Sequence, residues 1–484
     1  MANKSVTTTH PEYDSLRDQW MRCRDCSEGS DTVKSRKTKY LPSLDSHKKE
    51  GGNDKYANYL MRALFYNATG RTIQGLSGSI FQKAPAVTLF SKDTEEDIKD
   101  ITLTGEPLEM FAFNATKEFL ITGRYGILVD MSSEESTMSR PYWVGYRAEN
   151  IINWRYERMG GKTVLILLVL REFVDKPEEG DDCFCVDQIE QYRVLKLVGG
   201  VYTQQVYRET GENKMGLGRK EFVPGPVIIP QRRGKALDFI PFSLPWSVNQ
   251  PPLINLVDVN LAHYRANADL KHGLHFTALP TPWVSGQSGD TSKPLSIGSG
   301  TAWALEAGGK AGMLEFTGQG LGAIREDLLD MQKLMATLGA RILEDAPKYA
   351  ETATAVSMRH AGDYSTLRAL AQVVEQQLAF ALKTHCWWMD DYKSITDVPC
   401  DIQLNKLFFD RSMSADELRA LLLALQGGAI SYKTFYGRLA ETGWSREAIS
   451  AEAELLEIEN QKPGIGQPLA KPNPKTGLPS EKVE

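Results

Sequence analysis

Seven apolar side chains recur at alternating steps of three and four along one stretch of this chain: Leu321, Ile324, Leu328, Met331, Met335, Leu338 and Ile342. That spacing puts all seven on one face of a helix. The stripe opens a helical block from about Gly318 to Tyr392, interrupted once by Asp345–Thr352. At 1.5 Å per residue the first helix runs roughly 35–40 Å. A helix this long with one narrow apolar seam must find a neighbour along its length. No catalytic signature accompanies it, which points to a structural, assembling protein.

Charge narrows the function further. Lys and Arg number 56 against 62 Asp and Glu, a net charge of -6. A chain that grips nucleic acid by its phosphates shows a basic surplus, and this one does not. Cys23, Cys26, Cys183, Cys185, Cys386 and Cys400 are scattered through 484 residues and do not read as a disulfide framework. The first ten residues lack an apolar signal core, and the longest aliphatic run is Val164–Leu170. A membrane span needs ~20 residues. A soluble chain with reduced thiols is expected, with no membrane partner.

Hydrophobic periodicity places further elements. Tyr13, Leu16 and Trp20 fall at helical spacing. Helices are expected over Tyr56–Gly78, Pro107–Thr122 and Leu253–Phe276. The last carries Leu253, Leu256, Val257, Leu261, Tyr264 and Ala268 on one side. Between 140 and 245 the pattern shifts to alternating β-branched and aromatic residues, with strands over Thr163–Phe173, Gln188–Leu197, Val201–Tyr207 and Val227–Ile229. Residues 277–318 read as short strands and turns. A second helix after the break carries Leu367, Leu370, Val374, Leu378, Ala381, His385 and Trp388. Ile402–Phe409 reads as a strand. Ser414-Ala-Asp-Glu417 is a capping box, and Gly427-Gly428 closes the helix it opens. Helices over Tyr432–Glu441 and Ser445–Glu459 follow, then a proline-rich tail from Gln461. The fold class is α+β.

Several short patterns invite chemistry that their surroundings deny. Gly160-Gly-Lys-Thr163 has Tyr156 where a phosphate loop needs glycine, and it opens a strand rather than a helix, so it reads as a hairpin turn. Gly308-Gly-Lys-Ala-Gly312 fails in the same way. Cys23 with Cys26 and Cys183 with Cys185 could supply thiolates, and His272 with His275 two imidazoles, yet none has the partners a zinc site uses. No nucleophile elbow and no carboxylate cluster at ligand spacing occurs. No catalytic residue, metal or cofactor is assigned.

Four segments, taken in order, resemble the portal proteins of tailed bacteriophages, in particular a phage family long described as a domain of unknown function. They are Tyr59–Pro85 (YLMRALFYNATGRTIQGLSGSIFQKAP), Ile240–Trp246 leading into Pro252–Asp269 (PLINLVDVNLAHYRANAD), Glu351–Asp363 (ETATAVSMRHAGD) and Gly428–Tyr436 (GAISYKTFY). The resemblance implies a portal fold: wing, 1–252; first stem helix, 253–276; clip, 277–318; second stem helix, 319–345; tunnel loop and long helix, 346–392; wing return, 393–411; helical crown, 412–460; disordered tail, 461–484. It implies a homo-oligomeric ring, typically a dodecamer, at one capsid vertex of the virion, with double-stranded DNA passing through it. Its partners would be the terminase large subunit, a head–tail adaptor, and the major capsid and scaffolding proteins.

A channel must let DNA slide without sticking, and a lining of mixed charge avoids tight phosphate binding. Arg325, Lys333 and Arg341 interleave with Glu326, Asp327, Asp330, Glu344 and Asp345. The DNA-channel candidates are Lys333, Arg341, Lys348 and Tyr349. The seven-residue stripe is the candidate helix or subunit packing face. Two rivals remain: another head–tail connector component, and a metal-dependent hydrolase using Cys183, Cys185, His272 and His275.

Overall fold

Tyr13 and Trp20, both on the first helix, are buried with their rings edge to face at 5.6 Å, and the Tyr13 hydroxyl donates to the Glu149 carbonyl at 3.0 Å, which ties that helix to the rest of its unit. The computed structural model describes residues 5–44, 52–131, 140–175, 188–209, 221–244, 250–278, 281–287, 305–314, 319–339, 353–406, 408, 415–441 and 451–460. The chain forms two units, 1–405 and 406–484.

In the first unit, α1 (Pro11–Glu28) starts at an N-cap histidine, His10, and stops at Gly29, whose φ of 100° suits glycine. α2 (Ser30–Ser35) follows. The single helix expected over Tyr56–Gly78 is instead two, α3 (Gly52–Arg62) and α4 (Ala68–Ile80). The cause lies far away in sequence. The Leu64 backbone N–H donates to the Asn267 side-chain oxygen at 3.1 Å, and that of Thr69 to the Asn260 oxygen at 3.2 Å. Asn67 then caps α4 by accepting from the Gly70 N–H at 2.9 Å.

β1 (Ala86–Thr88) and α5 (Lys92–Asp97) lead to α6 (Leu108–Thr122). Gly123, left-handed at φ 71°, closes α6 by donating to the Phe119 carbonyl at 2.7 Å. The chain then enters β2 (Tyr125–Met131) and β3 (Pro141–Arg147). β4 (Ile151–Met159), β5 (Lys162–Asp175), β6 (Gln188–Val198), β7 (Val201–Glu209) and β8 (Phe222–Ile228) form a five-stranded sheet in sequence order. β3 and β4 precede the runs that the sequence marked. The strand expected over Val227–Ile229 overlaps the end of β8, which begins earlier and carries Pro224 and Pro226; an edge strand tolerates proline because one side needs no partner. Gly160 and Gly161, both at positive φ, make the two-residue turn from β4 to β5, where a hairpin was expected.

The hairpin β9 (Gln231–Arg232) and β10 (Lys235–Ala236) precedes β11 (Phe242–Ser243), which joins β2 and β3 in a three-stranded sheet. A polar cluster ties this sheet to the larger one. Arg193 on β6 donates from Nε to Glu172 at 2.7 Å, and Gln204 on β7 donates to Asp130 on β2 at 2.9 Å. Burial pushes the Asp130 carboxyl above its usual range, opposed by the Arg193 guanidinium.

The remaining elements of this unit are α7 (Ile254–Ala278), β12 (Thr281–Gln287), β13 (Leu305–Leu314), α8 (Gln319–Leu338), α9 (Ala353–Met389) and β14 (Asp401–Gln403). All strand pairings among the described residues are antiparallel, and helix and sheet share the unit, so the α+β class holds. α8 is described to Leu338 with a turn at Gly339, and the remainder of the span expected to 345 lies outside the described residues. Thr72 of α4 approaches closely there: a Cβ at Gly339 would sit 2.7 Å from the Thr72 hydroxyl. The strand expected over Ile402–Phe409 is only β14. Beyond it the Leu404 N–H turns to the Glu375 carboxylate at 2.8 Å, and Asn405 reaches the Ser79 carbonyl at 3.2 Å.

The second unit holds α10 (Ala415–Gln426), α11 (Tyr432–Glu441) and α12 (Ala451–Asn460). Gly428 at φ 71° and Ala429, whose N–H donates back to Ala424 at 2.9 Å, close α10 as a Schellman turn. Ser431 opens α11 by accepting from the Thr434 N–H at 3.2 Å. Ser414, residues 442–450, the tunnel segment 346–352 and the tail 461–484 lie outside the described residues.

Candidate functional site

α7 and α8 pair antiparallel. Gly273 of α7 faces Leu321 of α8, since a Cβ there would lie 2.6 Å from the Leu321 methyl. Nearer the other end, Gln332 meets His263 at 3.2 Å. At 1.5 Å per residue, α7 is about 37 Å long and α8 about 30 Å. The ribbon of β12 and β13 is threaded between them: it follows the C-terminal end of α7 and leads into the start of α8. On it the Trp283 indole lies across Gly312 of the facing strand, where a Cβ would come within 3.0 Å of its nitrogen. Trp283 and Met313 are nonetheless 44% and 53% exposed.

The α8 stripe is sorted by burial. Leu328 and Met335 are buried; Leu321, Ile324, Met331 and Leu338 are half-buried; Ile342 lies outside the described residues. The exposed surface of the helix is charged. Arg325 and Lys333 stand among Glu326, Asp327 and Asp330, all exposed. Lys333, 77% exposed, donates to Asp330 at 2.9 Å, so its charge is balanced one turn away on the same helix. Leu329 and Leu334 are exposed as well. The other channel candidates, Arg341, Lys348 and Tyr349, lie outside the described residues.

α7 carries polar side chains inside the unit. Asn260, His263 and Asn267 are buried along with Leu256, Val257, Leu261, Tyr264 and Ala268. Asn260 donates to the Tyr66 carbonyl at 2.8 Å and accepts from Thr69, bracketing the break between α3 and α4. Tyr59 donates to Asp269 at 2.6 Å. Burial holds the His263 imidazole below its ordinary value against the pull of Asp327, and pushes the Tyr264 phenol up to about 12.

The chemistry-bearing motifs occupy structural positions. Cys23 and Cys26 are buried in α1, and burial raises both thiols, Cys23 to about 12. A thiol pushed up this way is a poor nucleophile and ligand. His272 packs edge-on against Tyr59, and His275 meets Arg62 at 3.1 Å. Cys183 and Cys185 lie outside the described residues. Among the described residues, no helix is long and apolar enough to cross a membrane.

A family model matches residues 252–389. It describes a domain of unknown function, DUF4055. The match begins just before α7 and ends on the last residue of α9, so it takes in the helix pair, the ribbon and the long helix together. No curated protein matches the chain. Among solved structures, the chain is similar to one described as the neck of an empty gene transfer agent particle computed with C6 symmetry, at 14% identity over 80% of this chain and 93% of that one, with a TM-score of 0.36. Another, the virion of a native gene transfer agent particle, shares 13% identity over the same shares with a TM-score of 0.32.

Residues that hold α9 in place escaped the sequence reading. Gln377 donates to the Tyr125 carbonyl of β2 at 2.7 Å. His385 meets Asp97 at 3.1 Å, and Asp97 meets Arg140 at 3.3 Å. His385 had been placed on the apolar side of its helix, but its acidic partner is 288 residues away in sequence. No local pattern announces such a pair.

Proposed function

We propose that this chain is the portal subunit of a tailed phage. Copies of it would close into a ring at one capsid vertex of the virion through contacts that repeat head to tail. Double-stranded DNA would pass through the ring during packaging and ejection. The observation that carries the reading is the order α7, β12–β13 ribbon, α8, α9: two long antiparallel helices that hold out a small β element, followed by a longer helix. In this reading α7 and α8 are the stem, the ribbon belongs to the clip, and α9 lies behind the tunnel loop.

The α8 surface supports the reading on electrostatic grounds. A face with two cations among three carboxylates would not trap a polyanion. The exposed Leu329, Leu334, Trp283 and Met313 supply apolar area for a neighbouring copy. The terminase would dock on the clip and supply the ATP chemistry; this chain would have no enzymatic activity. The adaptor would take that surface later, and the major capsid and scaffolding proteins would meet the wing.

Native mass spectrometry tests this. Twelve copies of the 54.0 kDa chain give a ring of roughly 650 kDa. A population of closed rings near that mass supports the reading. A chain that stays monomeric at every concentration and carries a stoichiometric metal would favour a metal-dependent hydrolase instead.

A further inference from the structure

The N-terminal strap, Ser5–His10, is bound to the start of β4. The His10 N–H donates to the Ile152 carbonyl at 2.9 Å, and the Asn153 amide donates to the Thr8 carbonyl at 2.9 Å. The strap and the first turn of α1 wall a cavity of about 1660 Å³ over the five-stranded sheet. The His10 side chain makes two contacts that both depend on its charge. Its Nδ1 accepts the Glu12 backbone N–H at 3.2 Å, capping α1. Its ring stacks on Trp154 at 4.1 Å, and the same indole carries the Arg124 guanidinium at 3.7 Å. Arg124 is buried, and two of its nitrogens have no hydrogen-bond partner among the described residues.

We propose that His10 is a proton-operated latch: neutral, it closes the strap onto β4, and protonated, it lets the strap go. A protonated imidazole has no lone pair at Nδ1, so the ring nitrogen would point an N–H at the N–H it now accepts. It would also add a second cation to an indole that already holds a buried guanidinium. The other facing groups divide. Glu12 and Asp14 of α1 favour the cation, but Asp14 already accepts from the Thr9 hydroxyl at 2.8 Å. Tyr156 of β4 faces Arg124, and Arg155, Glu190, Lys196 and Glu221 line the same cavity. Burial decides the balance and holds His10 below its ordinary value, with Arg124 adding to the shift. The latch is therefore closed above an ordinary histidine value of about 6.5 and is lost as pH falls further.

Hydrogen exchange read by mass spectrometry on the full chain, corrected for intrinsic rates, tests this on peptides from Ser5 to Asp14. Protection should fall by about tenfold per pH unit once the unlatched state's imidazole protonates. His10→Asn keeps a neutral capping oxygen and should hold its protection at both ends of the range. Arg124→Gln removes the opposing cation and should move the wild-type midpoint to higher pH. Protection that does not change with pH in the wild type overturns the latch. So does an equal loss in His10→Asn or, should that variant fail to fold, an unmoved midpoint in Arg124→Gln.

Discussion

Asn260 and Thr69 are joined twice: the Asn260 side-chain oxygen accepts both the Thr69 backbone N–H, at 3.2 Å, and its hydroxyl, at 2.9 Å. The Asn260 nitrogen donates in turn to the Tyr66 carbonyl at 2.8 Å. One buried side chain of α7 thus satisfies three groups where α3 has stopped and α4 begins. Asn260→Ala leaves both Thr69 donors without their partner, while the Tyr66 carbonyl keeps the Ala68 N–H at 2.8 Å. With each unmet buried group costing ~1–3 kcal/mol, the expected loss is about 2 kcal/mol or more. Chemical denaturation followed on the first unit measures it, and a loss under about 0.5 kcal/mol would contradict the bracket.

Leu328 and Leu329 are neighbours in sequence and opposites in space, 6% and 56% exposed. Leu328→Asp puts a charge into the seam between α7 and α8 and should unfold the helix pair, at a cost of several kcal/mol. Leu329→Asp should leave the subunit folded, with a circular dichroism spectrum and melting temperature like those of the wild type, and lower the yield of rings. Equal effects of the two on folding would show that α8 does not present one inner and one outer face.

The Gly273 and Leu321 contact sets how closely α7 and α8 approach. Gly273→Val should cost about 1–2 kcal/mol, because the nearest obstacle is the movable end of a leucine rather than backbone. Leu321→Ala should recover part of that loss, giving a coupling of about 1 kcal/mol in a double-mutant cycle. Strictly additive losses would mean that the helices do not meet there.

Asp130 and Glu172 share Arg193 unequally. Glu172 accepts from Arg193, Tyr146 and Gln191 at 2.6–2.7 Å, whereas Asp130 stands 3.4 Å from the guanidinium. Because burial raises the Asp130 carboxyl, its favourable contribution belongs below its ordinary value of 3.8 and is lost as pH rises through the folded-state value. At neutral pH Asp130→Asn should therefore leave stability within about 1 kcal/mol of wild type or raise it, and any gain should shrink on acidification. Glu172→Gln should cost about 2 kcal/mol or more at neutral pH, since three donors lose a full acceptor. Urea denaturation across pH separates the two, and the reverse order would contradict this account of the cluster.

What the sequence disclosed about the fold follows the range of the forces involved. β5 was legible from its continuous aliphatic run and β6 and β7 from their β-branched and aromatic residues, and the apolar side of α7 was legible at Leu256, Leu261 and Tyr264. The break between α3 and α4 was hidden, because residues nearly 200 positions away replace the hydrogen bonds that a continuous helix would make. Asn260, His263 and Asn267 lie at helical spacing, but the sequence marked only the apolar residues of that helix. At the candidate site, the mixed charge of α8 was legible, while the Lys333 and Asp330 pair that neutralises the cation was overlooked. The close approach of Thr72 to Gly339 was not foreseen either, since it joins residues far apart in sequence.

The central claim is that copies of this chain surround a channel with α8 turned toward it. Cryo-electron microscopy of the purified full chain, with rotational averages computed before any symmetry is imposed, tests it most directly. The account predicts a closed ring with a central hole, its wall formed by helix pairs, with Arg325, Glu326, Asp330 and Lys333 facing the bore. A ring with α8 on its outer surface, or particles that never exceed a single subunit, would contradict it.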